Sequence, residues 1–268
     1  GETAVPLSRA DYVYEADYPV SEAPPPVSGP VSETIARHVA ALIRDGDCIQ
    51  LGIGGIPNAV GALLREKNDL GIHSEMFTNT MMKMVEKGVV TGDRKNINRG
   101  EHTFCFGGGS PELFHFLHEN KQCHIRPASY VTDPFVIRSN DNMVSINAIM
   151  EIDLTGQVNS ETIGTRQYSG PGGAFDFAYG AFHAKNGRGI IALQSTAKGG
   201  TISRIVPQLT AGSVVSIPRN IVDIVVTEYG VAWLKGRNLR QRAENLIAVA
   251  HPDFRAELRE QAKKLCLW

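Results

Sequence analysis

Residues 48–57 are Cys-Ile-Gln-Leu-Gly-Ile-Gly-Gly-Ile-Pro, and this stretch decides the fold class. Its first four residues predict a short strand, and the glycines that follow predict a tight turn. Pro57 stands at the favoured first position of a helix. Upstream, apolar residues recur at helical spacing from Ile35 to Ile43. The stretch therefore predicts the order helix, strand, glycine turn, helix.

The same alternation recurs along the rest of the chain. Residues 104–106 lead into a glycine run at 107–109 and a predicted helix through Leu117, and a helix pair is predicted over 239–264. The other strand candidates are Ile190–Leu193, Ser213–Ile217 and Ile221–Val226. Short apolar strands that alternate with helices predict an α/β fold, in which helices flank an open parallel or mixed sheet.

Composition and charge narrow the class of protein. The chain has 268 residues, of which 42% are hydrophobic and 21% charged, as is ordinary for a soluble globular protein. A formal net charge of -1 gives no global electrostatic reason to expect nucleic acid or a membrane as partner. The four cysteines form no CxxC pair, which favours reduced thiols and a cytoplasmic location. No stretch approaches the ~20 apolar residues of a membrane span, and no signal segment opens the chain.

Residues 1–30 are rich in proline, which prevents helix formation and favours an extended path. Composition alone leaves two interpretations open. The segment is either a free N-terminal tail or a linker that leads from an upstream domain.

Two glycine turns are candidates for binding an anion, because backbone N–H groups at a strand-to-helix turn can approach one closely. They lie at 52–55 and 107–109, and neither matches a phosphate-binding loop or a dinucleotide fingerprint. Such turns are often only tight connections. His115 and His118 lie three apart on a predicted helix without a third ligand at a recognisable spacing, so we expect no metal site. The sequence also has no G-x-S-x-G nucleophile motif.

The most informative stretch is residues 145–160. Apolar residues precede Glu151, as in a buried strand, and 154–157 predict a turn. Glu151 is therefore expected near the end of a strand, where open α/β sheets bind ligands. A glutamate that faces solvent on an edge strand would give the same pattern.

Residues 169–177 are Ser-Gly-Pro-Gly-Gly-Ala-Phe-Asp-Phe. Adjacent glycines beside an apolar segment can present backbone N–H groups to a developing negative charge, as an oxyanion hole requires. A simple connecting loop is the alternative.

Taken together, the motifs resemble one family. The matching segments are 51–60, 71–77, 133–137, 140–147, 151–160, 169–177, 227–232 and 250–255. In this order they resemble the acetyl-CoA hydrolase/transferase family of family I CoA-transferases, and most of all its 4-hydroxybutyrate CoA-transferase branch. The resemblance covers essentially the whole chain.

The resemblance implies a fold of the CoA-transferase (NagB/RpiA-like) type, with two similar α/β domains and an active site between them. Residues 1–30 would be the interdomain linker and 31–268 the C-terminal catalytic domain, while an N-terminal domain would be missing. It also implies a cytoplasmic homodimer that needs no permanent cofactor, because CoA and acyl-CoA are its substrates.

The family's catalytic glutamate is assigned to Glu151, and its oxyanion and CoA-binding loop to Gly170, Gly172 and Gly173. The sites expected near the substrate are Gly52, Gly54, Gly55 and Asn147.

The activity implied is transfer of CoA from a short-chain acyl-CoA to a carboxylic acid such as acetate, butyrate or 4-hydroxybutyrate. It would follow a ping-pong mechanism through a glutamyl-CoA thioester. Two alternatives stay open, namely an acyl-CoA hydrolase that uses the same glutamate, and a non-catalytic module that binds CoA or a sugar phosphate.

Overall fold

A computed structural model describes residues 4–24 and 26–267. At its centre lies one eight-stranded sheet. Side by side, its strands are β15 (Gly230–Trp233), β14 (Ile224–Thr227), β10 (Arg188–Ala192), β5 (Met143–Ala148), β1 (Cys48–Leu51), β2 (Gly71–Phe77), β3 (His102–Gly107) and β4 (Cys123–Ile125). Neighbouring strands are parallel except for β15, which is antiparallel to β14.

Helices cover both faces of this sheet, so the predicted fold class is confirmed. The α-helices are α1 (Pro30–Ala40), α2 (Gly55–Leu63), α3 (Asn79–Glu86), α4 (Pro111–Leu117), α5 (Ala128–Val131), α6 (Pro134–Ile137), α7 (Ala174–His183), α8 (Leu239–Val249) and α9 (Pro252–Lys264). Two 3₁₀ turns lie at Leu7–Arg9 and Leu64–Glu66. The core on one face is built with α1 to α4, and the core on the other with α5 to α9.

The central strands are apolar throughout because both of their faces are buried. In β10, Ile190 and Ala192 join the core on the α1–α4 side, while Ile191 between them joins the core on the opposite side. Continuous apolar runs of this kind made the strands recognisable in the sequence.

The order of the strands reverses between β1 and β5. From β1 the chain adds β2, β3 and β4 on one side, and it then returns to add β5, β10 and β14 on the other. Loops that leave the carboxyl ends of such a strand pair diverge and open a crevice, where open α/β sheets bind ligands. The crevice here lies between Gly52, which follows β1, and Ala148 at the end of β5.

Short strands form a layer beyond this crevice. They are β6 (Glu151–Asp153), β7 (Val158–Asn159), β8 (Thr162–Ile163), β9 (Arg166–Gln167), β11 (Thr196–Ala197), β12 (Ile202–Ser203) and β13 (Ile205–Val206). Strands β13, β6 and β7 make a three-stranded sheet, so Glu151 begins a separate strand and does not end β5.

One strand prediction is wrong. Ser213–Ile217 forms no strand, and only Ile217 makes an isolated bridge with Val158. Val214 and Val215 are 39% and 45% exposed, so this β-branched run lies along the surface and is not inserted into a sheet.

The described residues before α1 have no regular structure beyond the turn at Leu7–Arg9. Close to α1, this segment runs against the glycine turns of the sheet. The Ala23 N–H donates to the Gly109 carbonyl at 3.0 Å, and Ser28 Oγ donates to the Gly55 carbonyl at 3.0 Å. That residues 1–30 are an interdomain linker stays a prediction.

Candidate active site

The loop after β1 passes so close to β5 that it requires glycine. A Cβ on Gly52 would lie 2.8 Å from Asn147 Oδ1 and 3.1 Å from the Ile146 carbonyl oxygen. The Gly52 N–H donates to that carbonyl at 2.8 Å. Gly54 has a φ of +128°, which favours glycine, and Gly55 begins α2.

Behind this loop, Gln50 and Asn147 form a buried amide pair. Gln50 Nε2 donates to Asn147 Oδ1 at 3.0 Å, and Asn147 Nδ2 donates to Gln50 Oε1 at 3.2 Å. The Ile146 N–H also donates to Gln50 Oε1, at 3.1 Å. The pair fixes the carboxyl ends of β1 and β5 relative to each other. The hydrogen-bond partner of the Asn147 side chain is therefore Gln50.

The glycine loop at 169–173 lies across the same crevice. Gly172 has a φ of +50°, and Gly173 is the residue before α7. Ser169 Oγ donates to the Ser160 carbonyl, which ties the loop to the chain that follows β7. The Gly173 N–H points into the crevice and donates to Glu75 Oε2 at 2.9 Å.

Glu75, a residue that the sequence analysis did not single out, is thus the carboxylate at the glycine loop. It lies near the carboxyl end of β2, beside β1, and its side chain is half-buried. The carboxylate of Asp176 on α7 lies near Glu75. Burial raises the pKa of Asp176, and the like charges of Glu75 and Asp133 raise it further. Cys105 lies across from it on β3, and burial and Glu75 raise the pKa of that thiol to about 11.

The signal for Glu75 was present in the sequence. It stands within the family segment 71–77, although His73 and Ser74 precede it in place of the apolar run that precedes Glu151. Only the pairing of β2 with β1 brings it to the glycine loop.

One cleft of about 480 Å³ brings together Glu75 and most of the residues predicted from the sequence. Its lining includes Gly52, Asn147, Gly170, Gly172 and Gly173. Gly54 lines a separate, smaller cavity, and neither cleft nor cavity is lined by Gly55.

Glu151 lies outside this cleft, in the layer of short strands, where four donors hold its carboxylate. Its Oε1 accepts from Ser213 Oγ at 3.0 Å, from the Thr210 N–H at 3.2 Å and from Asn159 Nδ2 at 3.2 Å. Its Oε2 accepts from Thr210 Oγ1 at 2.9 Å. The carboxylate therefore links residues 210–213 to Asn159 of β7. No described residue of 170–173 forms a hydrogen bond with the Glu151 carboxylate.

The side chain of Glu151 lines a second cavity, also of about 480 Å³, which adjoins the first along Met150 and Tyr168. Lys198 and Arg204 contribute its positive charge. Burial lowers the pKa of Arg204, and the nearby Glu228 carboxylate opposes that effect. Within residues 4–24 and 26–267, neither cationic side chain makes a hydrogen bond or an ion pair, although Glu228 acts on Arg204 through its charge.

Over the described part of the chain, no group of three or more His, Cys, Asp or Glu side chains could hold a metal ion. No helix of the described residues is both long and apolar enough to cross a bilayer.

Comparison with known proteins agrees with this fold. The model of the acetyl-CoA hydrolase/transferase C-terminal domain matches residues 109–262. Succinyl-CoA:cyclohexane-1-carboxylate CoA transferase of Geobacter metallireducens is 46% identical over 99% of the chain and 61% of its own length. For the 4-hydroxybutyrate coenzyme A transferase of Clostridium kluyveri, the identity is 47% over 98% of the chain and 62% of the relative. The chain belongs to the acetyl-CoA hydrolase/transferase family.

Solved structures show the same similarity. RipA from Yersinia pestis is 43% identical, with a TM-score of 0.89 over 94% of this chain and 57% of that one. A 4-hydroxybutyrate CoA-transferase from Porphyromonas gingivalis is 44% identical, with a TM-score of 0.86 over 99% of this chain and 63% of that one. The chain therefore spans about three fifths of the length of the curated relatives that it matches.

Proposed function

We propose that this chain is the C-terminal part of a CoA-transferase that moves CoA from a short-chain acyl-CoA to a carboxylic acid. Glu75 is the nucleophile in this proposal. The observation that carries it is the 2.9 Å hydrogen bond from the Gly173 N–H to Glu75 Oε2, inside the cleft at the strand-order reversal.

The nucleophile predicted from the sequence is Glu151, but the geometry favours Glu75 for two reasons. The four donors around Glu151 restrain its carboxylate and withdraw electron density from both oxygens, which makes them poorer nucleophiles. Glu75 has a single described side-chain hydrogen bond, which comes from the loop predicted to stabilise an oxyanion.

The proposed reaction exchanges one carboxylate for another. A Glu75 oxygen attacks the acyl carbonyl of acyl-CoA, which gives a mixed anhydride and the CoA thiolate. The thiolate then attacks the Glu75 carbonyl carbon, and the acyl group leaves as a free acid. A second acid reverses both steps, so the bonds formed match those broken and no ATP is consumed.

The glycine loop stabilises the charge that develops in these steps. When sulfur attacks the Glu75 carbonyl carbon, the oxyanion forms on an oxygen of Glu75 itself. Gly173 already donates to such an oxygen, and the N-terminal end of α7 adds a favourable dipole. One donor of this kind contributes about 3 kcal/mol to transition-state stabilisation.

We propose that the nucleotide part of CoA occupies the cavity of Lys198 and Arg204. These cations make no hydrogen bond or ion pair with the described residues and suit phosphate groups. Tyr168 and Ile163 offer an exposed surface for a base. The shared wall of Met150 and Tyr168 gives the pantetheine arm a path to Glu75.

Lys198→Ala and Arg204→Ala should raise KM for acyl-CoA but leave KM for acyl-pantetheine unchanged. Equal effects on both substrates would contradict this placement.

About two fifths of the relatives' length has no counterpart in this chain. We propose that an N-terminal part, in the same polypeptide or in a second one, completes the cleft, and that the complete enzyme is a cytoplasmic homodimer. Sedimentation and cell fractionation test the assembly and its location. CoA release with and without added acetate separates transfer from hydrolysis.

The nucleophile is identified by intact mass after the complete enzyme is mixed with acyl-CoA. Glu75→Gln and Glu75→Ala should lose the covalent CoA adduct, and peptide mapping after borohydride reduction should locate it on Glu75. Glu151→Gln is the matched control and should keep the adduct. An adduct that persists in both Glu75 variants and disappears in Glu151→Gln would return the role to Glu151.

A further inference from the structure

The cavity that Gly54 lines is separate from the CoA path and lies on the other side of β2. Successive side chains of a strand point to opposite faces, so Met76 faces this cavity while its neighbour Glu75 faces the cleft. The cavity measures about 180 Å³ and is lined largely by Leu51, Ile53, Pro57 and Met76, with Pro24 and Pro26 of the N-terminal segment along one side.

The polar side chains in its wall already have partners. Asn58 accepts from Thr80 Oγ1 and donates to the Pro26 carbonyl at 3.4 Å. Asn79 accepts from the Ser110 N–H at 3.0 Å and donates to Ser110 Oγ at 2.6 Å. A ligand inside the cavity therefore meets mostly apolar surface, and a charged group would be buried there without a partner.

The cavity adjoins the cleft of Glu75. Leu51, Gly52, Ile53 and Met76 line both spaces, so they meet over the carboxyl ends of β1 and β2. In another protein an apolar cavity of roughly 150 Å³ binds benzene. A space of about 180 Å³ accordingly accommodates a chain of about six carbons.

We propose that this cavity binds the hydrocarbon tail of the acyl group, so the enzyme prefers unbranched, uncharged monocarboxylic acids of about four to six carbons. The assignment rests on the proposed function, since the acyl carbonyl must lie at Glu75. Met76 then forms the wall that sets the chain length. Dicarboxylic acyl groups such as succinyl are disfavoured because their free carboxylate would be buried.

The test is a chain-length series from acetyl-CoA to octanoyl-CoA, with succinyl-CoA included, on the complete enzyme. For the wild type, kcat/KM should rise about fourfold per methylene, which corresponds to about 0.8 kcal/mol per buried CH₂. It should peak near four to six carbons, then fall, and be at least 100-fold lower for succinyl-CoA than for butyryl-CoA. A flat profile, or a preference for succinyl-CoA, overturns the proposal without any variant.

Met76→Ala should move the optimum to longer chains, and Met76→Phe should move it to acetyl-CoA. Met82→Ala is the matched control, because Met82 is a buried methionine that lines neither space, and its profile should equal that of the wild type. Identical profiles for the Met76 and Met82 variants overturn the assignment. The covalent CoA adduct is measured in each variant, so an intact adduct on Glu75 with an unaltered profile counts against the cavity alone.

Discussion

At the scale of single residues, two glutamates compete for one role, and their local sequences do not separate them. Both lie in segments that resemble the family. They differ in their donors, because side chains surround Glu151, whereas a glycine-loop N–H reaches Glu75. The loop at 169–173 was a predicted oxyanion site, but its contact with β2 could not be predicted, since that contact joins residues 98 positions apart.

The close approach at Gly52 gives a prediction at this scale. Gly52→Ala would bring a Cβ to 2.8 Å from Asn147 Oδ1 and 3.1 Å from the Ile146 carbonyl oxygen. The Gln50–Asn147 pair must then shift, and we expect a loss of about 1–3 kcal/mol in the free energy of unfolding together with lower kcat. Chemical denaturation and steady-state kinetics measure these two effects.

Gly29→Ala is the control for that variant, since its Cβ would meet nothing within 4 Å. It should change neither stability nor kcat appreciably. Wild-type stability in Gly52→Ala would show that the strand ends adjust freely and that the amide pair is not a rigid part of the site.

At the scale of elements, one buried arginine of α8 donates hydrogen bonds to the loops that follow β6 and β15. Arg242 is 7% exposed and donates to three carbonyl oxygens, those of Thr155 at 2.7 Å, Leu234 at 2.9 Å and Arg219 at 2.6 Å. Burial lowers its pKa, and the side chain makes no ion pair with the residues described. Its hydrogen bonds to carbonyls thus hold the end of β6, the end of β15 and α8 together.

Arg242→Met should therefore be destabilising, because it leaves the Thr155 and Arg219 carbonyls without a described donor at about 1–3 kcal/mol each. The Leu234 carbonyl keeps the N–H of Arg237 at 3.2 Å. We expect a loss of at least about 2 kcal/mol, measured by urea unfolding. Arg240→Met on the same helix is the matched control, since Arg240 is exposed and, among the described residues, forms its ion pair with Glu244 alone. It should cost less than about 1 kcal/mol. Equal losses of unfolding free energy in the two variants would show that the carbonyl hydrogen bonds of Arg242 do not stabilise the fold.

Elements were predictable where their environment is uniform. The central strands, buried on both faces, are continuous apolar runs in the sequence, and a visible break at His251-Pro252 separates α8 from α9. Ser213–Ile217 has the same β-branched composition, yet it lies on the surface beside β7. A short run carries no information on whether a partner strand is available, so this element could not be predicted correctly.

At the scale of the whole molecule, acid stability depends on histidines in the half of the sheet that carries Glu75. His73 on β2 and His102 on β3 are fully buried, and both ring nitrogens of His102 lack a hydrogen-bond partner among the described residues. Burial, and then the charge of Lys95, lower the pKa of each to about 4 from 6.5. The folded protein thus holds both rings neutral where the unfolded chain protonates them.

The sign of the pH dependence follows from this difference. Above pH 6.5 both states hold neutral histidines, and these residues do not affect the balance. Between about pH 6.5 and 4 the unfolded chain binds more protons, so the free energy of unfolding falls as the pH falls. Each histidine accounts for about 3 kcal/mol over the window, at about 1.4 kcal/mol per pKa unit.

His102→Leu removes one of these protons and should flatten the fall in stability between pH 6.5 and 4, measured by urea unfolding at several pH values. At pH 7.5 the variant should be about as stable as the wild type, because it also removes two unpartnered polar atoms from an apolar site. His118→Leu, at an exposed position, should leave the pH profile unchanged. If His102→Leu keeps the wild-type slope, the acid sensitivity originates elsewhere and the ring of His102 is protonated without unfolding.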